Sequence, residues 1–203
     1  MRITIVDYGM GNLKSIYSVL SFLGVKNIVV SSNFKDLNNA DKIILPGVGS
    51  FRKAMHIIKS KRIDYSLDEI ILIKKKPILG ICLGMQLLSK SSTEDGFTKG
   101  LGYIDAKCTR LNDENLKVPH VGFNQIKINE ISKIYNGISK EPDFYFTHSY
   151  KLESEADISQ SYCFYGSDFI ASFERENIIG VQFHPELSQI NGIRLLQNFI
   201  NII

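Results

Sequence analysis

Cys82 stands in the run Gly80-Ile81-Cys82-Leu83-Gly84, where an apolar stretch from Pro77 to Ile81 gives way to a helical pattern over Leu83 to Ser89. A nucleophile flanked by glycines at a strand-to-helix turn is the elbow of many hydrolases, here with sulfur in place of the serine oxygen. The glycines let the chain turn sharply, and the nucleophile is held in a strained conformation at the tip. The helix behind it turns its N-terminus toward the sulfur, which favours thiolate over thiol. The Leu83 amide is placed to donate to a developing oxyanion. Most cysteines are simply buried apolar residues, and a lone G-x-C-x-G would not displace that reading. The strand before it and the helix after it supply the context that the chemical reading requires.

A cysteine nucleophile needs a base, and the base needs an orienting group. Four histidines are available. His56 falls in a surface helix, His120 follows Pro119 in a loop, and His148 ends the aromatic run Phe144 to Thr147. His184 ends the run Gly180 to Phe183 and is followed by Pro185 and Glu186. The proline fixes the turn, so Glu186 can fold back toward the imidazole to give a Cys–His–Glu relay. Alone, a strand-end histidine is more often a satisfied polar residue. The elbow together with a late Phe-His-Pro-Glu is far more specific than either half. Cys82, His148 and His184 have the residue types of a metal site, but no ligand spacing supports one, and no metal or cofactor is expected.

The elements that must position these groups alternate in the first half of the chain. Apolar runs at Ile3–Val6, Asn27–Val30, Lys42–Leu45 and Pro77–Ile81 read as strands. Between them, helical spacing covers Leu13 to Leu23, Ser50 to Lys59 and Tyr65 to Lys75, with Asn12 as an N-cap and Gly24 as a stop. This alternation predicts a parallel sheet with helical crossovers. After about residue 100 the runs become short and β-like: Tyr103–Leu111, Asn124–Ile128, Asp143–Phe146, Ser161–Tyr165, Phe169–Phe173 and Ile178–Phe183. A helix over Ser188 to Ile202 follows, with Ile193, Leu196, Phe199 and Ile200 on one face. The fold class is therefore α/β: an open, mostly parallel twisted sheet flanked by helices, with antiparallel strands added in the second half. The run Lys74-Lys75-Lys76 reads as a solvated helix C-terminus.

Composition excludes several classes. The chain has 203 residues, enough for one domain spanning 1–203, with 44% hydrophobic and 22% charged residues. A net charge of +3 is too small and dispersed for a nucleic-acid surface. Three cysteines, Cys82, Cys108 and Cys163, with no C-x-x-C, form neither a disulfide framework nor a structural zinc site. The apolar run at the N-terminus is too short for a signal peptide, and no run approaches membrane-spanning length. A soluble cytoplasmic protein is expected, without nucleic-acid or membrane partners.

Gly80 to Gln86 together with Gly180 to Glu186 resembles the class I (triad) glutamine amidotransferases. Within that family the chain is most similar to the glutaminase subunits of imidazole glycerol phosphate synthases, of histidine biosynthesis. The similarity extends over Asp7 to Asn12, Leu45-Pro46-Gly47-Val48-Gly49, Gly100-Leu101-Gly102, Val118 to Asn124 and Tyr145 to Tyr150. The resemblance implies that Cys82 attacks the side-chain amide of glutamine, His184 shuttles the proton and Glu186 holds the imidazole. A γ-glutamyl thioester would form and be hydrolysed to glutamate. The oxyanion hole would combine the Leu83 amide with an amide of the Val48-Gly49 turn. Gln86, Glu94, Gly49, His148 and Ser149 would contact glutamine. Ammonia would pass to a (β/α)₈-barrel cyclase in a heterodimer, docked through Asn12, Phe123, Tyr145 and Leu187, and partner binding would activate the glutaminase.

Two positions depart from the family pattern. Leu187 stands where relatives often carry lysine, and Phe123 where they often carry tryptophan. Both fall in docking regions, which admits a paralogue that feeds ammonia to a sugar-modifying amidotransferase. The glutaminase of pyridoxal phosphate synthesis is a rival, but typically has Pro-Gly-Gly-Glu-Ser where this chain has Pro46-Gly47-Val48-Gly49-Ser50. A partner-free γ-glutamyl peptidase would use the same triad. A non-enzymatic nucleotide-binding module is disfavoured, because the third glycine of G-x-G-x-x-G would fall at Lys14.

Overall fold

The computed structural model describes residues 1–112 and 116–201. Its framework is a parallel unit of five strands in the order β2 (Asn27–Ser31), β1 (Arg2–Val6), β3 (Lys42–Leu45), β4 (Ile78–Ile81) and β13 (Ile178–Val181). The last of these comes late in the sequence but sits centrally, between β4 and β12 (Ser167–Arg175). It runs parallel to β4, with Gly80 opposite Gly180, and antiparallel to β12, where the second half of the sheet begins. Beyond β12 come β10 (Tyr150–Glu153), β7 (Lys107–Arg110), β5 (Ser91–Ser92) and β6 (Thr98–Lys99). β11 (Gln160–Tyr165) pairs with β12 and β8 (His120–Lys127), and β8 with β9 (Asp143–His148).

Alternation along the central strands sorts the core into two layers, because successive strand side chains face opposite sides. Ile43, Leu45 and Ile78 face one side, with α3 (Phe51–Ser60), α4 (Ile63–Leu67) and α5 (Leu83–Leu87). Ile3, Ile5, Ile44, Leu79 and Val181 face the other, with α1 (Leu13–Phe22) and α6 (Gln189–Asn201). Helices on both faces account for the unbroken apolar runs of these strands.

The expected α/β class holds: the first half supplies the parallel strands and the second adds antiparallel ones, enough of them that the sheet is mixed rather than mostly parallel, with further local differences. Asn33 caps a short helix α2 (Phe34–Asn38) that the sequence reading passed over. The stretch expected as one helix over Tyr65 to Lys75 is α4 continued by a π-turn at Asp68–Ile73. Tyr103 to Ala106 is irregular, and only Lys107–Arg110 of that run pairs. Asn12 precedes α1 but makes no side-chain cap, and its Nδ2 donates to Glu186. Of the lysine run, Lys76 spends its ammonium on the Asn38 and Ala40 carbonyls. The predicted helix end at Ile202 lies outside the described residues. No helix among the described residues is long and apolar enough to cross a membrane.

Candidate active site

Adjacent parallel strands β4 and β13 end together, and Cys82 and His184 follow those ends. Open α/β sheets place their ligands at this carboxyl edge. The Cys82 amide donates to the Val181 carbonyl at 2.8 Å, which fixes the elbow to β13. Cys82 has φ 53° and ψ −111°, a left-handed conformation for a non-glycine residue. Such a position costs about 1–3 kcal/mol and persists only where its surroundings enforce it. Here they do. A Cβ on Gly84 would run into the Leu45 carbonyl, and one on Gly47 into the Tyr8 hydroxyl and Leu83. The elbow and the Pro46–Gly49 turn can therefore approach only as glycines. Tyr8, fully buried, anchors that turn by donating to the Pro46 carbonyl at 2.8 Å.

His184 is held from both sides. Its amide donates to the Tyr145 carbonyl at 2.9 Å, and its carbonyl accepts from the Ser188 hydroxyl at 2.6 Å. Nδ1 lies 2.9 Å from Glu186 Oε1, which also accepts from Asn12 Nδ2 at 3.4 Å. With the carboxylate as acceptor, Nδ1 keeps its proton, so Nε2 is the position that can exchange one with the sulfur. Nε2 is buried without a formed hydrogen bond, and the Cys82 thiol is directed at the Thr147 carbonyl at 3.9 Å. Burial pulls the His184 pKa down, but Cys82 and Glu186 together outweigh it and hold the imidazole above its ordinary range.

A cavity of 580 Å³ opens beside the sulfur, within the usual size for small-molecule sites. Cys82, Leu83, Val48, Gly49, Gln86, Glu94, His148 and Ser149 all line it, so the residues expected to bind glutamine or an oxyanion converge on one space. Gln86 is buried, and Nε2 donates to the Tyr150 carbonyl at 3.0 Å and to Gln182 Oε1 at 2.9 Å. Glu94 accepts from the Phe51 amide at 2.7 Å; burial, aided by Asp95, raises its pKa against that bond. His148 is buried and pushed down to about 3, chiefly by burial. Among the described residues no group of three or more His, Cys, Asp or Glu is arranged to hold a metal ion.

The residues expected at a partner surface lie outside the cavity. Phe123 and Leu187 are 49% and 41% exposed. Phe123 packs edge-to-face on Tyr145, its neighbour across β8 and β9, with ring centroids 5.5 Å apart. Asn12 points instead at Glu186.

Comparison with known proteins gives this arrangement its family. The model of the glutamine amidotransferase class-I family matches residues 4–202. The chain belongs to the class I glutamine amidotransferases. Among curated glutamine amidotransferase relatives, imidazole glycerol phosphate synthase subunit HisH 1 of Campylobacter jejuni (strain RM1221) is 42% identical over 201 residues, covering 98% of this chain and 100% of that one. Subunit HisH of Archaeoglobus fulgidus is also 42% identical, over 99% and 98% of the two chains. Of solved structures, PurLQS from Thermotoga maritima superposes with a TM-score of 0.73 at 17% identity, over 98% of this chain and 97% of that one. The glutaminase domain of the Trypanosoma brucei CTPS, with bound acivicin, gives 0.70 at 16% identity, over 98% and 92%. These two similarities concern the fold.

Three residues of this amidotransferase site escaped the sequence reading. Tyr8, in the opening turn, carried no chemical signature. His120, expected in a loop, begins β8 and is buried, with Nδ1 3.2 Å from His148 Nε2. Gln182 lies in the run Gly180 to Glu186, and its being polar in an otherwise apolar strand run is the signal that marks it.

Proposed function

We propose that this chain is the glutaminase subunit of an imidazole glycerol phosphate synthase. Cys82 Sγ attacks the amide carbon of glutamine, and its proton passes to His184 Nε2. Glu186 holds Nδ1–H and stabilises the imidazolium. The tetrahedral oxyanion is received by the Leu83 amide and an amide of the Val48-Gly49 turn. His184 returns the proton to the departing ammonia, leaving a γ-glutamyl thioester. Water, deprotonated by the same imidazole, releases glutamate. Gln86 has both Nε2 hydrogens engaged, which leaves Oε1 as the acceptor for the substrate's α-ammonium group, with Glu94 as its counter-charge. The backbone at His148 and Ser149 completes the pocket.

The observation that carries this reading is the strained Cys82 elbow beside a histidine whose Nδ1 is committed to a buried carboxylate. Ammonia goes to a (β/α)₈-barrel cyclase docked over the exposed strip of Val121, Phe123 and Leu187. Docking makes chemical sense, since ammonia released to water is mostly protonated and no longer nucleophilic. Cys82→Ala tests the assignment. Glutamine-dependent synthesis by the complex should vanish, while synthesis from added ammonium salts persists. Survival of the glutamine-dependent reaction would falsify the role of the sulfur.

A further inference from the structure

The triad chemistry gives no role to Gln182, a buried polar residue of the site. Gln182 follows β13, is 0% exposed, and lies between Gln86 and Cys82. Its Nε2 is 3.7 Å from Cys82 Sγ and its Oε1 is 2.9 Å from Gln86 Nε2. The direction of this amide is dictated by its neighbours. The Tyr150 carbonyl can only accept, and takes Gln86 Nε2 at 3.0 Å and His148 Nδ1 at 2.8 Å. Gln86 must therefore turn its NH₂ toward Tyr150, and the second hydrogen of that group meets Gln182. Gln182 has to answer with oxygen, which leaves its own NH₂ on the sulfur. The flipped amide would set NH₂ against NH₂ and oxygen against sulfur.

We propose that Gln182 is a donor to the nucleophile, whose amide N–H orients the Cys82 sulfur and stabilises the thiolate that attacks the substrate. The inference rests on Cys82 being the nucleophile. In the thiol form the sulfur accepts weakly from Gln182 and directs its hydrogen at Thr147. When the proton passes to His184, the contact with the Thr147 carbonyl turns repulsive, whereas the contact with Gln182 strengthens. Hydrogen bonds to a charged partner exceed neutral ones by roughly twofold. Gln182 therefore favours the reactive form over the resting one. The other titratable groups that sense Cys82 are His184, Tyr8 and Cys108. Tyr8 and Cys108 are kept neutral by burial, so His184 is the one cation among them and Gln182 adds an uncharged donor beside it. The same amide joins the sulfur to Gln86, so a ligand that shifts Gln86 also acts on the nucleophile.

Gln182→Met keeps the volume and removes the donor. Iodoacetamide labelling of the full chain, read cysteine by cysteine by mass spectrometry, tests it without requiring turnover. At about pH 7, Cys82 alkylation should slow by about ten- to a hundredfold. The deficit should shrink as the pH rises. With the barrel partner present, kcat for glutamine hydrolysis should fall in similar proportion, with a smaller change in KM. Cys108 and Cys163, buried away from the cavity that Cys82 lines, report the fold by staying unlabelled. If they become labelled, the measurement moves to Gln182→Glu, which keeps the acceptor for Gln86 and presents an ionised oxygen to the sulfur at about pH 9. Slower alkylation than the wild type is expected there too. A folded variant of either kind that alkylates at the wild-type rate overturns the proposal. The nucleophile assignment fails by a different result, glutamine turnover that survives Cys82→Ala.

Discussion

Two buried histidines near the site work without charge. His120 is stacked on Tyr165, with ring centroids 4.0 Å apart, and bonded to His148. The Tyr150 carbonyl takes Nδ1–H of His148, so Nε2 of His148 accepts and His120 Nδ1 donates. Burial lowers both imidazoles, His120 to about 4 and His148 to about 3, from the usual 6.5. In the unfolded chain both would take up protons near that usual value. The unfolded state thus binds more protons below it, and stability drops as the pH drops. Their contribution is fully present above 6.5 and is lost as pH falls toward 4 and 3. His184 is shifted the other way and is protonated in both states below 6.5, so it adds no slope there. Thermal melts should show Tm declining from pH 6.5 to about 5, above the carboxylate range. His120→Gln should flatten that decline, and a level wild-type profile would refute neutral burial. At this scale the sequence made Cys82, His184 and Glu186 legible, because their motifs are contiguous. It did not disclose His120 or Gln182, whose partners lie on other strands.

At the scale of elements, the elbow and the Pro46–Gly49 turn behave as one unit. The α5 backbone at Gly84 lies against the end of β3 so closely that no side chain fits. Gly84→Ala must push α5 away or bend the turn. Overpacking of this kind costs about 1–3 kcal/mol, measurable by urea unfolding. Glutamine turnover should fall further than stability alone explains, because the Leu83 amide moves with the helix. A fully active and stable Gly84→Ala protein would contradict the close contact. Helix and strand positions in the first half, apart from the short α2, were legible from apolar periodicity. The π-turn at Asp68–Ile73 and the irregular Tyr103–Ala106 were not. Such features arise from fitting the chain against neighbours, which local spacing does not encode.

At the scale of the molecule, the active-site cavity and an exposed apolar strip share one border. Val121, 56% exposed, pairs with Thr147, which lines the cavity, and Phe123 follows two residues on along the same face of β8. This strip is the expected seat of the proposed partner. Phe123→Asp should weaken association with the barrel cyclase by about tenfold or more, since exposed aromatic anchors dominate such contacts. Tm of the free chain should barely change. Unaltered affinity in a titration would place the partner elsewhere. The parallel half and the added antiparallel strands were legible from the change of texture near residue 100, but strand order was not, because the sequence does not say which gap a late strand fills. That late strand, β13, occupies the slot beside β4. A chain emerging from the ribosome therefore displays the sulfur on an incomplete sheet edge until Val181 and the imidazole after it have been synthesised. Fragments that stop before β13 should therefore show no glutamine turnover, because they lack the strand and the imidazole that complete the site.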